Sequence, residues 1–209
     1  MLADPLLSPQ TSMAKAASTD PLIILAGLLP LFTILAVAVY TDLRERRIPN
    51  KLVLAGIVTG LLLHTLLPEG NGFLAKWPGG VGFLGSLQGL AIGAAAMFPL
   101  YFLRAMGAGD VKLMAAVGAI LGPDDILPAV IGTFLAGGVV SILTALMAGS
   151  AGQLVRNLIY MVQVTLLKLA LPGRPSIEPP LESAGSAPYA VAVALGTLGG
   201  LLWAAGSTG

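Results

Sequence analysis

Cysteine is absent from this chain of 209 residues, and histidine occurs once, at His64. The absence of cysteine excludes disulfides, thiol nucleophiles and cysteine-ligated zinc sites. A single histidine excludes the His-Glu-x-x-His metalloprotease motif, as well as any Ser-His triad that does not use His64. Most hydrolytic chemistries are thereby removed, and the carboxylates remain as candidate catalytic groups.

Charge is also scarce, because only 10% of the residues are charged while 56% are hydrophobic and the mean hydropathy is +0.90. Soluble domains carry about 25% charged residues, so this composition is typical of a membrane protein. Five apolar runs of 16 to 23 residues approach the length that a bilayer requires: Leu22–Tyr40, Leu52–Leu67, Val81–Leu103, Ile126–Ala148 and Tyr189–Ala205. A sixth, shorter run follows Asp110 and ends at Leu121. We therefore expect an all-α polytopic membrane protein with about six transmembrane helices.

The remaining segments are expected to differ from these spans. Residues 1–20 are poor in hydrophobic residues and contain Pro and Ser, which predicts a disordered tail ahead of a membrane-embedded domain at 21–209. Polar and apolar residues alternate at helical spacing over 153–171, which predicts an amphipathic helix on the inner leaflet. The alternative is that 153–171 forms a seventh span. The net charge of +1 and the lack of a basic, aromatic-rich surface argue against a nucleic-acid partner.

Lys and Arg are distributed unequally between the two sides of the expected bundle. If the loop after the first helix is cytoplasmic, nine basic residues lie inside and two, Lys15 and Lys76, lie outside. The nine are Arg44, Arg46, Arg47, Lys51, Arg104, Lys112, Arg156, Lys168 and Arg174. The positive-inside rule favours this orientation. It places Asp42 and Asp110 together at the cytoplasmic face.

These two aspartates are the candidate catalytic residues. An ionisable side chain near the bilayer is costly, so a functional role is the default interpretation. Two carboxylates that share a site can perform acid and base catalysis as in aspartic proteases. Taken alone, Gly-Ala-Gly-Asp at 107–110 is equally typical of a glycine turn with a helix-capping Asp110. Taken alone, Asp42 is also compatible with a carboxylate that balances the neighbouring arginines.

The combination of motifs is more specific. Asp-x5-Ile-Pro-Asn at 42–50, followed by Gly-Ala-Gly-Asp-Val-Lys at 107–112, resembles the type IV prepilin peptidase family of bacterial aspartic membrane proteases. Because no cytoplasmic domain precedes the first helix, the chain looks like the small CpaA/TadV-type members that serve Flp pili. The resemblance extends from Leu22 to about Asp125, and Pro-Tyr-Ala at 188–190 is similar to a Pro-aromatic motif of the family.

The resemblance implies that Asp42 and Asp110 are the catalytic pair. It implies substrate-binding or site-supporting roles for Gly107, Gly109, Lys112, Pro49 and Asn50. The implied activity is cleavage of the basic leader of prepilins at the cytoplasmic face of the bacterial inner membrane. The implied partners are the prepilin, the lipid bilayer and other pilus-assembly proteins. Larger relatives carry a Cys-rich zinc-binding segment and methylate the new N-terminus, so we expect neither a metal nor a cofactor in this cysteine-free chain.

Three other functions are open at this stage. A presenilin-like intramembrane protease also uses an aspartate pair with glycine beside the second member, but its Pro-Ala-Leu signature is absent. A small proton-coupled transporter could use the aspartates as a relay. A non-catalytic membrane protein of pilus assembly would not depend on either aspartate.

Overall fold

The computed structural model describes residues 21–73, 79–102, 106–147, 149 and 189–207, with eight further positions between 152 and 166. Its elements are α1 (Pro21–Glu45), α2 (Asn50–Leu66), α3 (Gly82–Phe102), α4 (Ala108–Leu121), α5 (Ile126–Met147) and α6 (Tyr189–Ser207). The expectation of an all-α protein is confirmed, and the described residues form six helices. That all six cross the membrane stays a prediction. The predicted tail at 1–20 and most of 153–171 lie outside the described residues, so both stay predictions. The eight further positions have helical backbone.

Four of the helices, α1, α3, α5 and α6, are long and apolar enough to cross a membrane, and α2 is a shorter apolar helix. Many of their large hydrophobic side chains are exposed, for example Leu22, Leu84 and Leu202. A soluble protein would bury such surfaces, whereas lipid solvates them. The chain is therefore a multi-pass membrane protein.

Helix α4 differs from the span expected for it. Its 14 residues rise about 21 Å, which is less than the roughly 30 Å of a bilayer core. Every residue from Leu113 to Leu121 is buried, and α4 contacts each of the five other helices defined above. It is thus the central element of the bundle, surrounded by protein. The run after Asp110 was expected to be the shortest, and the structure adds that protein surrounds most of it, which an apolar run alone does not reveal.

Glycines bring the helices into close contact in two groups. In the first group, Gly118 of α4 lies against the backbone of Gly89 in α3, and Gly60 of α2 lies against Ala119 of α4. In the second, Gly196 of α6 lies against the backbone of α5 at Gly132. Small residues permit such approaches, which provide much of the packing energy between membrane helices. The bundle therefore consists of a closely packed α2–α3–α4 group, an α5–α6 pair, and α1, which contacts α2, α4 and α6.

The connection between α2 and α3 folds back onto the end of the bundle. Phe73 is fully buried, lies over Gly27 of α1 and approaches His64, with 4.9 Å between the ring centroids. Val81 N–H donates to Nδ1 of His64 at 3.2 Å, so the proton is on Nε2, which donates to the Ile120 carbonyl at 2.8 Å. The single histidine therefore fastens this connection to α4.

The two ends of the bundle differ in charge among the described residues. Basic side chains lie at the end where α1 finishes and α4 and α6 begin: Arg44, Arg46, Arg47, Lys51 and Lys112. Acidic residues Glu69, Asp124 and Asp125 lie at the opposite end. This is the distribution that the positive-inside rule associates with a cytoplasmic basic end.

Candidate active site

Asp42 lies in the last turn of α1 and is 9% exposed. Its Oδ2 accepts a hydrogen bond from the backbone N–H of Ala190, in the first turn of α6, at 3.2 Å. The three nearby arginines, Arg44, Arg46 and Arg47, are exposed. Asp42 is thus directed into the bundle, where its carboxylate meets the N-terminus of another helix. This observation does not fit a carboxylate that serves only to balance those arginines.

The backbone of Asp42 is fixed by the way α1 ends. Arg46 has a φ of 53°, the left-handed conformation that commonly ends a helix, and its N–H donates to the Asp42 carbonyl at 2.9 Å. Glycine is the usual residue at such a position, because other L-residues adopt it at a cost of about 1 kcal/mol or more. The turn therefore closes α1 one helical turn after the aspartate.

Asp110 lies in the first turn of α4 and is also 9% exposed. Gly107 is the N-cap, and its N–H donates to Oδ2 of Asp110 at 3.1 Å, while Asp110 N–H donates to the Gly107 carbonyl at 3.2 Å. A carboxylate at the third helical position that returns to the N-cap N–H is half of a capping box. Asp110 therefore does cap α4 with its side chain, as one interpretation of the sequence had it. It does so from the third helical position, however, because the N-cap itself is Gly107.

The two aspartates come together in the structure although 67 residues separate them in the sequence. α1 contacts α4, and the Asp42 carboxylate is close enough to act electrostatically on that of Asp110. Both side chains are buried at the same end of the bundle. Two acids in this arrangement can share a proton, because a like charge nearby disfavours ionisation of both.

The loops that carry the two motifs also pack against each other. The Ile48 side chain contacts Gly109, and Lys112 Nζ donates to Asn50 Oδ1 at 3.2 Å. Pro49 is the N-cap of α2, and its carbonyl accepts from the N–H of Leu52 at 3.0 Å. The start of α2 is thereby held beside the start of α4.

The structure brings all seven residues singled out in the sequence to one end of the bundle. The pairs in direct contact are Gly107 with Asp110 and Asn50 with Lys112. It adds two residues to which the sequence assigned no contact, Ile48 and Ala190. Both stand inside segments that carry the resemblance, at 42–50 and 188–190, and this was the only signal for them. Within the described residues, no group of three His, Asp or Glu side chains is placed to hold a metal ion.

A comparison with family models matches residues 29–142 to the model described as the type IV leader peptidase family. This segment is more than half of the chain. The chain belongs to the type IV leader peptidase family. It is accordingly an aspartic protease, and family membership suggests that it cleaves prepilin leader peptides. The matched segment includes Asp42 and Asp110 and continues through most of α5. No curated protein and no solved structure matches the chain significantly.

Proposed function

We propose that this leader peptidase uses Asp42 and Asp110 as its catalytic dyad and cleaves Flp-type prepilins at the cytoplasmic face of the inner membrane. The observation that supports the dyad is the approach of two buried carboxylates, from α1 and α4, at one end of a membrane bundle. The cytoplasmic orientation is supported by the basic residues at the same end. The Flp-type substrate is supported by the likeness of the chain to the small CpaA/TadV-type members.

Hydrolysis in the proposed mechanism needs no covalent intermediate. One carboxylate takes a proton from a water molecule, which attacks the carbonyl carbon of the scissile peptide bond. The other residue, which begins as the carboxylic acid, donates its proton to the carbonyl oxygen, so that a diol forms. As the C–N bond breaks, the first residue passes its new proton to the leaving amine and a diol hydroxyl returns a proton to the second residue. The pair begins with one proton and ends with one proton, so the dyad is ready for the next substrate.

The position of the dyad suits the substrate class. A prepilin presents a basic leader to the cytoplasm and an apolar helix to the membrane. The bond to be cut lies near the junction of the two. Asp42 and Asp110 stand at the ends of apolar helices, next to the largely exposed loop at 46–49 and the exposed Gly107. A substrate whose apolar helix lies in the lipid beside the bundle would therefore bring its junction to the depth of the dyad.

The proposal is tested by expressing the protein with a candidate Flp-type prepilin and measuring the mass of the pilin by mass spectrometry. Wild type is compared with Asp42→Asn and Asp110→Asn at matched membrane levels. Asp125→Asn is the matched control, because Asp125 is similarly buried but lies at the opposite end of the bundle. General acid and base groups contribute roughly 10²- to 10⁴-fold to a rate, so each dyad variant should lose at least that factor.

Three outcomes separate the parts of the proposal. If wild type and Asp125→Asn shorten the pilin and both dyad variants do not, the assignment of the dyad is confirmed. If either dyad variant still cleaves, that aspartate is structural. If wild type leaves Flp-type prepilins intact but shortens another class of prepilin, the dyad survives and the substrate assignment is wrong.

A further inference from the structure

The first turn of α6 meets Asp42, although α6 lies outside the segment that matches the family model. Ala190 is the second residue of α6 and is fully buried. The first N–H groups of a helix have no acceptor within it, and a buried N–H without a partner is costly. The Asp42 carboxylate supplies that partner. The same contact occupies one of the two oxygens of a proposed catalytic residue.

We propose that Ala190 is a positioning residue for the dyad: its backbone N–H holds Oδ2 of Asp42 and so presents Oδ1 to the reaction. The inference rests on the proposed function, since it assigns a role to a group that acts through Asp42. An aspartate side chain has two rotatable bonds, and the N-terminus of a helix attracts its negative charge. The bond from α6 therefore fixes the carboxylate that α1 alone would leave free to rotate.

The packing of α6 against α5 holds this N–H in place. Gly200 lies against the backbone of Pro128, Gly196 lies against Thr133, and the Tyr189 ring covers Gly137 at 3.5 Å from its Cβ position. α5 and α6 are thus joined along their length, and the N–H of Ala190 moves only if the pair moves. Asp110, in contrast, is held by Gly107 of its own helix.

It follows that the two aspartates depend on different parts of the bundle. Asp110 belongs to the closely packed α2–α3–α4 group, whereas the carboxylate of Asp42 is fixed by the α5–α6 pair. The geometry of the dyad is therefore set by how α5–α6 docks against the rest of the molecule.

The test replaces single backbone amides by esters, which deletes an N–H while the side chain is kept. In the test protein, lactic acid takes the place of Ala190. In the matched control, the α-hydroxy analogue of valine takes the place of Val191, whose N–H is in the same helical turn but does not donate to Asp42. All proteins are full length, and cleavage of a prepilin that wild type processes is followed with thermal melting in detergent.

We expect the ester at 190 to lower kcat roughly ten- to hundred-fold, the worth of a hydrogen bond to a charged group, with KM little changed. A merely structural bond would change the amount of folded enzyme and not the kcat of each folded molecule. The ester at 191 should keep the wild-type kcat. Rates are expressed per folded molecule, so the comparison remains informative if the ester lowers the melting temperature.

The inference is overturned if the ester at 190 matches the ester at 191 in kcat, since the bond would then be structural only. It is also overturned if the melting temperature falls but the kcat per folded molecule does not change. Failure of the proposed function would give a different result, because prepilin cleavage by the wild-type protein would then not require Asp42.

Discussion

Ile48 packs on Gly109, with its Cβ 3.4 Å from the point where a Cβ at position 109 would lie. This is an ordinary van der Waals separation, so a methyl group at 109 fits. Gly107 has φ −81° and ψ 156°, a conformation that any L-residue adopts, and its Cβ position is also 3.4 Å from its nearest neighbour. Neither glycine of the motif is therefore required by the fold. The family resemblance implies a substrate-binding role for both glycines, so we expect their replacement to affect substrate binding and not the fold.

Replacement of either glycine should consequently separate activity from stability. We expect Gly107→Ala and Gly109→Ala to change the free energy of unfolding by less than about 1 kcal/mol, because alanine loses less chain entropy on folding. Their kcat/KM for prepilin cleavage should nevertheless fall, because a methyl group at 107 would lie 3.4 Å from Oδ2 of Asp110 and one at 109 would lie against Ile48 beside it. Melting curves and cleavage kinetics of the same preparations check both parts. Full activity in both variants would mean that the substrate does not touch these glycines.

Gly118 in α4 should behave in the opposite way. A Cβ at this position would overlap the carbonyl oxygen of Gly89 in α3, which is backbone and cannot rotate away. Overpacking of this kind typically costs about 1–3 kcal/mol, so Gly118→Ala should lower the melting temperature clearly. Gly138→Ala is the control, because no atom lies within 4 Å of its Cβ position. Equal melting temperatures for the two variants would contradict the close contact between α3 and α4.

The substitution His64→Leu tests the two hydrogen bonds through which His64 links the α2–α3 connection to α4, at the end of the bundle away from the dyad. The leucine fills a similar volume but leaves the Val81 N–H and the Ile120 carbonyl without their shared partner. Each unsatisfied buried group costs about 1–3 kcal/mol, so the variant should be strongly destabilised. The kcat of the molecules that remain folded should not change, because the dyad lies at the other end. A large loss of kcat without a loss of stability would show that His64 has a catalytic role.

Lys112 and Asn50 form an exposed hydrogen bond, so their contribution to stability is expected to be small. Lys112→Met and Asn50→Ala should each cost less than about 1 kcal/mol. The two variants distinguish two roles for Lys112, namely orientation of the substrate and connection of the two loops. If Lys112 orients substrate, Lys112→Met lowers kcat/KM and Asn50→Ala does not. If Lys112 only joins the loops, both variants have the same small effect, and the double variant is no worse than either one.

A dyad that shares one proton should give a bell-shaped dependence of kcat/KM on pH. On the acidic side the rate falls as the base gains a proton, and on the alkaline side it falls as the acid loses its proton. The measurement uses detergent-solubilised enzyme and a prepilin whose own ionisable groups lie outside the pH range of the bell. A profile without an acidic limb would contradict the shared proton.

Much of the fold could be predicted because lipid imposes a simple length rule. The run Val81–Leu103 corresponds to α3 at Gly82–Phe102, and Leu22–Tyr40 is contained in α1 at Pro21–Glu45. The rule fails at α4, whose run is shorter than a bilayer core and is buried by protein from Leu113 to Leu121. Sequence does not distinguish an apolar surface that meets lipid from one that meets another helix, since both environments are equally apolar.

Prediction of the candidate site from the sequence meets a similar limit. The positive-inside rule brought Asp42 and Asp110 to one face, because it needs only the order of spans and charges. The bond from Ala190 to Asp42 joins positions 148 residues apart through a backbone N–H. Every residue except proline has that group, so its partner cannot be deduced from residue type. The contact of Ile48 with Gly109 likewise depends on how α2 and α4 cross.

The packing of Phe73 against His64, at the end of the bundle away from the dyad, has a consequence for the cell that carries this enzyme. Hydrolysis requires water and mobile protons at the dyad, which lies at the opposite end of the bundle from these two residues. Between the two stands α4, whose residues from Leu113 to Leu121 are apolar and buried. In the described residues, a proton that crossed the bundle would have to pass this buried apolar segment of α4. We therefore expect the peptidase to work in an energised membrane without discharging it, which a proton-flux assay in sealed vesicles would check.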